Sequence, residues 1–502
     1  MILAELYLMA SLPILLTFGT WCSSTHYYSI HWLIIEIIGI ALYLLTNFNE
    51  SFDQGSGHLY VADSLSQFTG VIILISFLVS LLLSIGFTSG AKGPINDFCK
   101  IEYPLIMLLA ILGIFFIISS NDFLTLYLAL ELSSLSLYVL STFLPQNLYS
   151  TESGLKYFVL GSLASTIYLL GFSLIYGFSG LSNFNDLGLL IGLVDKNEGA
   201  HYGLLIGFAL VTFGLLFKLG AVPFHSWLID VYDGSPTPIT TFFALTPKIA
   251  IITIIIRLGW SNTNIADGIL SGGDAGWSHI FYITAILSLI VGTIGAIGQT
   301  KIKRLLAYSA VNHIGFILIA FASGYDTNPS AILAIQAIYF YYIIYLVMTA
   351  NLFSLVLAIG QNWALPDSIS TLSYLYYNNK LLAVSLALTL FSIAGIPPLA
   401  GFFSKLNLFL IAIQGKLYPL IVVAIVTSVI ATFYYIRLIR LIFFGGPACP
   451  PTDPEITFNN PNRQNSIILA ITLIAVVIFF LGLQNLLLLP TYNLAISVVH
   501  FA

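Results

Sequence analysis

Leu216–Pro223 reads LFKLGAVP and Leu390–Pro397 reads LFSIAGIP, and each octet interrupts a long apolar stretch. The two octets start 174 residues apart. Proline lacks an N–H group and disfavours helical geometry in the residue before it, and glycine lets the backbone bend. Each octet therefore predicts a break in a helix, and the repetition predicts two related halves. Two chance kinks are the alternative, because Gly and Pro are common in membrane helices.

The composition around these octets is that of an integral membrane protein. Of the 502 residues, 58% are hydrophobic and only 7% are charged, whereas a soluble globular protein carries about 25% charged residues. The sequence has no basic run for binding nucleic acid and no nucleotide-binding signature. Its three cysteines, Cys22, Cys99 and Cys449, lack the spacing of a Zn or Fe–S site.

Hydrophobic length predicts an all-α membrane protein, because a bilayer core of about 30 Å needs roughly 20 apolar residues per helix. About fourteen spans are predicted, at 2–20, 31–48, 66–88, 103–120, 122–144, 154–180, 202–230, 237–260, 278–299, 304–323, 330–360, 380–412, 418–445 and 465–489. Spans 7 and 12 contain the two octets. Backbone groups freed by a break cannot face lipid, so each break must line a polar cavity or be buried in protein.

Paired broken helices at matching positions are typical of an inverted-repeat transporter core. The predicted halves are spans 4–8 and spans 9–13. The predicted organisation is an N-terminal three-helix segment, a first repeat, a second repeat, and a loop with a C-terminal helix, at 1–100, 101–262, 263–446 and 447–502.

The distribution of basic residues predicts the orientation. Nine of the 16 Lys and Arg residues follow odd-numbered spans and three follow even-numbered spans. The positive-inside rule places the ends of odd-numbered spans on the cytoplasmic or matrix side. Both termini are therefore expected on the opposite side.

Five charged side chains are predicted within apolar segments: Glu131, Lys156, Lys218, Lys248 and Lys405. A charge at the bilayer centre costs about 2.5–3.5 kcal/mol on insertion scales, so such residues are usually functional. Burial lowers the pKa of a lysine, and a buried lysine can therefore exchange its proton. These residues predict a proton relay in which Glu131 controls the charge of a neighbouring lysine.

Structural alternatives exist for several of these positions. Lys156 lies near the start of span 6 and can snorkel to the interface. Lys405 can instead bond the free carbonyl groups of the broken helix. His225, two residues after the first octet, is predicted as a proton carrier or as a satisfied polar group at a helix end. His313 has the same two interpretations with less sequence context.

Several longer stretches, in this order along the chain, carry a family resemblance. They are LYLALELSSLSLYVL around Glu131, TESGLKYFVLGS around Lys156, KLGAVPFHSWLIDVYDGSPTPITTFFALTPKIA from Lys218, TKIKRLLAYSAVNHIGF from Thr300, and FSIAGIPPLAGFFSKLNLF from Phe391. Together they resemble the antiporter-like membrane subunits of respiratory complex I, and most closely the type numbered subunit 2 in mitochondria. The family's YEGSP reads YDGSP at Tyr232–Pro236, a conservative difference.

The resemblance implies fourteen helices with two inverted five-helix repeats. It also implies roles for six residues: a charged pair of Glu131 and Lys218, Lys156 and His225 on the same path, Lys248 as the central lysine and Lys405 as the terminal one. It implies no cofactor on this chain, with NADH, FMN, Fe–S clusters and ubiquinone bound by other subunits. The expected partners are neighbouring membrane-arm subunits, phospholipids and protons.

Two other functions use the same residues. A stand-alone cation/proton antiporter would need the same lysines and glutamate, whereas a structural spacer would need lysines only to hold the broken helices together. The expected location is the mitochondrial inner membrane. The N-terminus has no transit-peptide pattern, the chain is extremely hydrophobic and its motifs look most like the mitochondrial type, so the protein is expected to be made inside the organelle. A bacterial plasma membrane or a thylakoid is the alternative.

Overall fold

The computed structural model describes residues 2–21, 27–47, 59–88, 97–191, 199–260, 277–324, 328–359, 368–445, 463–479 and 482–500. Within these ranges the protein is all-helical, and β-type pairing is limited to isolated bridges such as Tyr60 with Ser120. Cys22, Cys449 and the predicted domain boundaries at 262/263 and 446/447 lie outside the described residues.

The described residues form twenty α-helices and one 3₁₀ helix. In chain order they are α1 Ile2–Trp21, α2 Tyr27–Asn47, α3 Ser64–Thr88, α4 Asp97–Ser119, α5 Phe123–Ser141, α6 Leu148–Ser179, α7 Phe184–Ile191, α8 Gly199–Leu219, α9 Ser226–Gly234, α10 Thr237–Leu245, α11 Pro247–Trp260, α12 Trp277–Ile297, α13 Ile302–Ser323, α14 Asn328–Ile359, a 3₁₀ helix Ile369–Tyr374, α15 Leu375–Asn378, α16 Lys380–Ala394, α17 Ala400–Gln414, α18 Tyr418–Phe444, α19 Arg463–Ile478 and α20 Leu483–His500.

By length and apolar composition, twelve spans within the described ranges can cross a membrane, or thirteen if α19 and α20 form one broken span. The prediction of about fourteen spans counted 380–412 as one apolar segment. That segment is two helices, α16 and α17, and each is too short to span alone. The predicted span 14 likewise corresponds to two helices rather than one, and the predicted boundary at 100/101 falls inside α4.

The first predicted break lies where the octet places it. Helix α8 ends at Leu219, and Gly220 follows with a left-handed φ of 79°. The backbone N–H groups of Gly220 and Ala221 both donate to the Leu216 carbonyl, at 3.1 Å each. This pattern closes a helix whose next residue is glycine. The chain then restarts as α9 after six residues, 220–225, which include Pro223.

The second break has the same backbone design. Helix α16 ends at Ala394, Gly395 has a φ of 91°, and the Ile396 N–H donates to the Phe391 carbonyl at 3.1 Å. The equivalent glycines, Gly220 and Gly395, are 175 residues apart, not 174. The sequence alignment of the octets pairs Pro223 with Pro397. The left-handed glycine determines where each helix ends, so the structural alignment of the two breaks is shifted by one residue from the sequence alignment.

The centre of the protein is formed by α10, α11 and α13, which are almost entirely buried. Helices α1, α2 and α6 are only about one-third buried and present apolar faces outward. Leu135, Phe158 and Ile294 are examples of large hydrophobic side chains on this outer surface. An apolar exterior is what a lipid environment requires. The helix ends at the two breaks, Leu219 and Ala394, are buried, whereas Pro223, Pro397 and Pro398 in the connecting loops are exposed.

Gly220→Ala is expected to destabilise the protein by about 1–2 kcal/mol, the cost of a left-handed conformation for a residue with a side chain. The added Cβ would also lie 2.6 Å from Leu228 Cδ1. Gly177→Ala in α6 is the control, because a Cβ there meets nothing within 4 Å. The thermal midpoint of the purified protein measures the difference. Equal midpoints for the two variants would contradict the role of Gly220.

Candidate functional site

Glu131 lies in α5, and Lys218 is the residue before the last of α8. One carboxylate oxygen of Glu131, Oε1, and the Lys218 Nζ are both buried and have no hydrogen-bond partner among the described residues. They form no direct ion pair within those residues, yet Glu131 is close enough to act electrostatically on Lys218. The Nζ lies 5.8 Å from the centre of the Tyr138 ring, a favourable position for a cation. Glu131 and Lys218 are thus within electrostatic reach of each other but form no direct ion pair among the described residues.

Lys248 lies at the start of α11, directly after Pro247, and its side chain is only 4% exposed. Its Nζ has no hydrogen-bond partner among the described residues. Two tyrosine rings face it instead, with centroids at 5.6 Å for Tyr232 and 5.9 Å for Tyr345. An ammonium group without hydrogen bonds is costly at this depth, so the site favours an amine that can lose its proton.

Two internal cavities connect Lys248 to the second half of the chain. A cavity of about 10 Å³ is lined by Lys248 and His313, with Leu219, Ile252, Ile314, Ile317, Leu318, Tyr342 and Tyr345. A second cavity of about 20 Å³ is lined by Tyr232, His313 and Ile393, with Ala244, Leu306, Ser309, Ala310, Tyr345, Thr349, Leu352 and Phe353. One water needs roughly 10–15 Å³ and polar partners. The larger cavity satisfies both conditions, whereas the smaller one is at the limit of size and its accessible lining is apolar.

Lys405 closes the second break. Its Nζ donates to the Ile393 carbonyl at 3.0 Å and to the Ala394 carbonyl at 2.9 Å. These carbonyls are among the last of α16 and would otherwise lack partners. The anchoring alternative for Lys405 is therefore present in the structure. Because Ile393 also lines the larger cavity, the amine lies next to the space that leads to His313.

Lys156 lies apart from the three buried lysines. Its side chain is 42% exposed and pairs with Glu152 at 2.8 Å and with Asp230 at 3.1 Å. Helix α6 begins at Leu148, six residues before the predicted span, and Lys156 follows two turns later near an open surface. This position agrees with the alternative in which Lys156 reaches the membrane interface.

His225 is partly exposed and lies at the cap position before α9. Its ring nitrogen Nδ1 is 3.3 Å from the Pro223 carbonyl, a contact within the same loop. The structure therefore places His225 as a polar group at a helix end. The imidazole is close to the first break in sequence, but its hydrogen bond is not to any of the lysines.

The sequence left two interpretations open for His313 and did not single out Tyr341, Tyr345 or Tyr232. His313 is 3% exposed, lines both cavities, and its Nδ1 lies 2.6 Å from the Tyr341 hydroxyl. It is also within electrostatic reach of both Lys248 and Lys405. The tyrosines could not be singled out among 28 in the chain. The dense cluster YFYYIIY in α14 was the available signal.

Within the described residues, no group of three or more His, Cys, Asp or Glu side chains is arranged to hold a metal ion. The site contains buried amines, an imidazole, tyrosine hydroxyls and a carboxylate, with two small cavities beside His313.

Comparison with known proteins gives one family. The family model described as NADH:quinone oxidoreductase/Mrp antiporter matches residues 120–431. The chain is 35% identical over 482 residues to NADH-quinone oxidoreductase subunit N of Paramagnetospirillum magneticum, covering 96% of this chain and 94% of the relative. It is 40% identical over 450 residues to subunit N of Pelagibacter ubique, covering 88% and 89%.

Solved structures agree in fold. A chain of respiratory complex I from Thermus thermophilus matches with a TM-score of 0.76 and 26% identity, covering 96% of this chain and 98% of that one. A chain of the Mrp complex from Dietzia sp. DQ12-45-1b matches with a TM-score of 0.77 and 21% identity, covering 99% of each chain.

Lys405→Met is expected to lower the thermal stability of the purified protein, because it leaves two buried carbonyls unbonded at about 1–3 kcal/mol each. Lys248→Met is the matched control, since its amine makes no hydrogen bond to the described residues. The control is expected to be as stable as the parent or more stable. Thermal midpoints that fall equally in both variants would show that the bonds of Lys405 are not what stabilises the second break.

Proposed function

The chain belongs to the NADH:quinone oxidoreductase/Mrp antiporter family of membrane subunits, and from that membership we propose that Lys218, Lys248 and Lys405 form its proton relay. Its function is that of an antiporter-like subunit in the membrane arm of a respiratory complex I-type NADH:quinone oxidoreductase, consistent with proton translocation. The observation that carries the relay is the burial of three amines, with two small cavities beside Lys248 and His313 in the middle of the row.

The first step involves the Glu131–Lys218 pair. While Glu131 is ionised, it favours the charged form of the Lys218 amine. When Glu131 is protonated or moves away, the ammonium group loses its counter-charge in a buried site and tends to release its proton. Both groups lack hydrogen bonds to the described residues, so neither has to break a bond before it changes its charge.

The next steps run towards the second half of the chain. Lys248 accepts the proton, and the cavity between Lys248 and His313 provides the contact for passing it on. A neutral imidazole accepts a proton at one nitrogen and gives up a proton from the other. The Tyr341 hydroxyl beside Nδ1 fixes the orientation of the ring. Lys405 is the terminal amine, reached through the larger cavity.

Lys405 combines the relay with anchoring. As an ammonium group it holds two carbonyls of α16. A neutral amine still has two N–H donors, so losing the proton weakens these bonds without removing them. The bonds to Ile393 and Ala394 equally suit the structural-spacer function, which predicts that neutralising the lysine changes stability alone. Lys156 and His225, which lie outside the row, are proposed as part of the approach to the relay from the surface.

The full architecture is proposed as fourteen spans with two inverted five-helix repeats. In this arrangement α16 with α17 is span 12, and α19 with α20 is span 14. The two breaks support this architecture. In each, the helix ends before a left-handed glycine, and the N–H groups of that glycine and of the next residue donate to the same backbone carbonyl.

The cellular setting follows from the relatives. They are subunits of bacterial NADH-quinone oxidoreductases, which supports the plasma membrane of a bacterium. The mitochondrial inner membrane, with subunit 2 as the counterpart, stays a proposal from the sequence, as do both termini on the side opposite the matrix or cytoplasm. The proposed partners are the neighbouring membrane-arm subunits, and NADH, FMN, Fe–S clusters and ubiquinone are proposed to bind elsewhere in the assembly.

Lys218→Met in the assembled complex is expected to lower NADH oxidation and proton uptake together by at least about tenfold, because the first proton carrier is missing. Sealed vesicles with NADH and a quinone allow both to be recorded at once. Lys380→Met is the control, since Lys380 is an exposed lysine at the start of α16. The control is expected to retain both activities.

Normal assembly must be established first for each variant. If Lys218→Met assembles normally and both activities equal those of the control, Lys218 is not part of a relay. The structural-spacer function would then gain most support.

A further inference from the structure

Helix α9 is held at its start by the helix that precedes it. The indole N–H of Trp227 donates to the Phe217 carbonyl at 2.9 Å, so the first turn of α9 is bonded to the end of α8. The Trp227 ring also stacks on Tyr157 of α6, with ring centres 4.7 Å apart. The short helix therefore cannot shift along the break without losing both contacts.

The end of α9 is held by the second half of the chain. Asp233 is 12% exposed and its carboxylate accepts from Lys301 Nζ at 3.1 Å and from Arg304 Nε at 2.9 Å. Lys303 Nζ donates to the Ser235 carbonyl at 2.8 Å. Three cations from the start of α13 and the residue before it thus fix the last turn of a helix that belongs to the first half.

Close packing against α6 completes the attachment. A Cβ at Gly234 would lie 2.5 Å from the Tyr149 carbonyl and 2.5 Å from Ser153 Cβ. Only glycine lets the two helices approach so closely. The final turn of α9 therefore lies directly between α6 and α13.

Tyr232, the residue before Asp233, faces the relay. It is 2% exposed, and its ring centre is 5.6 Å from the Lys248 Nζ. Its hydroxyl is buried without a hydrogen-bond partner among the described residues, and the side chain lines the 20 Å³ cavity shared with His313. A hydroxyl in this position can bond a water in the cavity beside His313.

We propose that Asp233 is a positioning residue, held by Lys301 and Arg304, that sets the Tyr232 ring against Lys248 and its hydroxyl at the cavity beside His313. Exposed ion pairs contribute little to stability, but a largely buried carboxylate with two cations has a well-defined geometry. Without the carboxylate, the two cations face each other and release the last turn of α9. The inference rests on the proposed function, because it assigns Asp233 an effect on the relay through Tyr232.

The test compares Asp233→Asn, Tyr232→Phe and the double variant in the assembled complex, with proton uptake and NADH oxidation recorded in sealed vesicles. Each single variant is expected to slow both activities by about tenfold, as expected for a misplaced polar group. In the Tyr232→Phe background, Asp233→Asn is expected to add less than about a factor of two. If Asp233 acted only on structure, its effect would not depend on the Tyr232 hydroxyl. The fold loss of activity in the double variant would then be the product of the two single losses.

Two further variants serve as rescue and control. Asp233→Glu keeps the carboxylate and is expected to retain most of the activity. Asp186→Asn makes the same chemical change at an exposed acid in the first turn of α7. It is expected to behave like the parent protein.

Several results would overturn the proposal. One is an Asp233→Asn complex that assembles normally and works at the parent rate, and another is full multiplication of the two single effects. If Asp233→Asn does not assemble, Lys301→Gln removes only one of the two cations. Its loss of activity must then also disappear in the Tyr232→Phe background. Parent-level activity of Lys248→Met would instead contradict the proposed function itself.

Discussion

A polar group at membrane depth must find its partner inside the protein, and the rest of this structure depends on that constraint. The two helix breaks expose backbone carbonyls where lipid cannot bond them. The helix ends at both breaks, Leu219 and Ala394, are accordingly enclosed by helices whose outer faces are apolar. The same enclosure gives the lysines a buried setting, in which the charge of an amine becomes sensitive to its neighbours.

The two breaks meet this constraint in different ways. At the first, the Trp227 indole bonds the Phe217 carbonyl, and Lys218 is left without hydrogen bonds to the described residues. At the second, the Lys405 amine itself takes two carbonyls. The first half thus has an unbonded lysine beside Glu131, and the second half has a lysine committed to its own helix end. A proton moving along the row would go from amines without hydrogen bonds to the described residues to an amine with two hydrogen bonds.

The sequence was sufficient for the helices, the breaks and the buried lysines, because each leaves a local signal: apolar length, Gly with Pro, or a charge in an apolar run. It was insufficient where the outcome depends on packing. The one-residue difference in register at Gly395 follows from which residue adopts the left-handed conformation. The ion pair of Lys156 with Asp230 forms only when α6 and α9 pack, although its other partner, Glu152, lies one turn earlier in α6. His313 and Tyr232 matter because separate helices bring them to one cavity.

Replacing Lys248 with arginine tests the central claim most directly. Arginine keeps the positive charge but does not release its proton in proteins. A relay needs an amine that can lose its proton, so Lys248→Arg should abolish proton uptake in sealed vesicles as completely as Lys248→Met, in complexes that assemble normally. Proton uptake at the parent level in Lys248→Arg would show that Lys248 serves as a fixed charge, and the account of a lysine relay would be wrong.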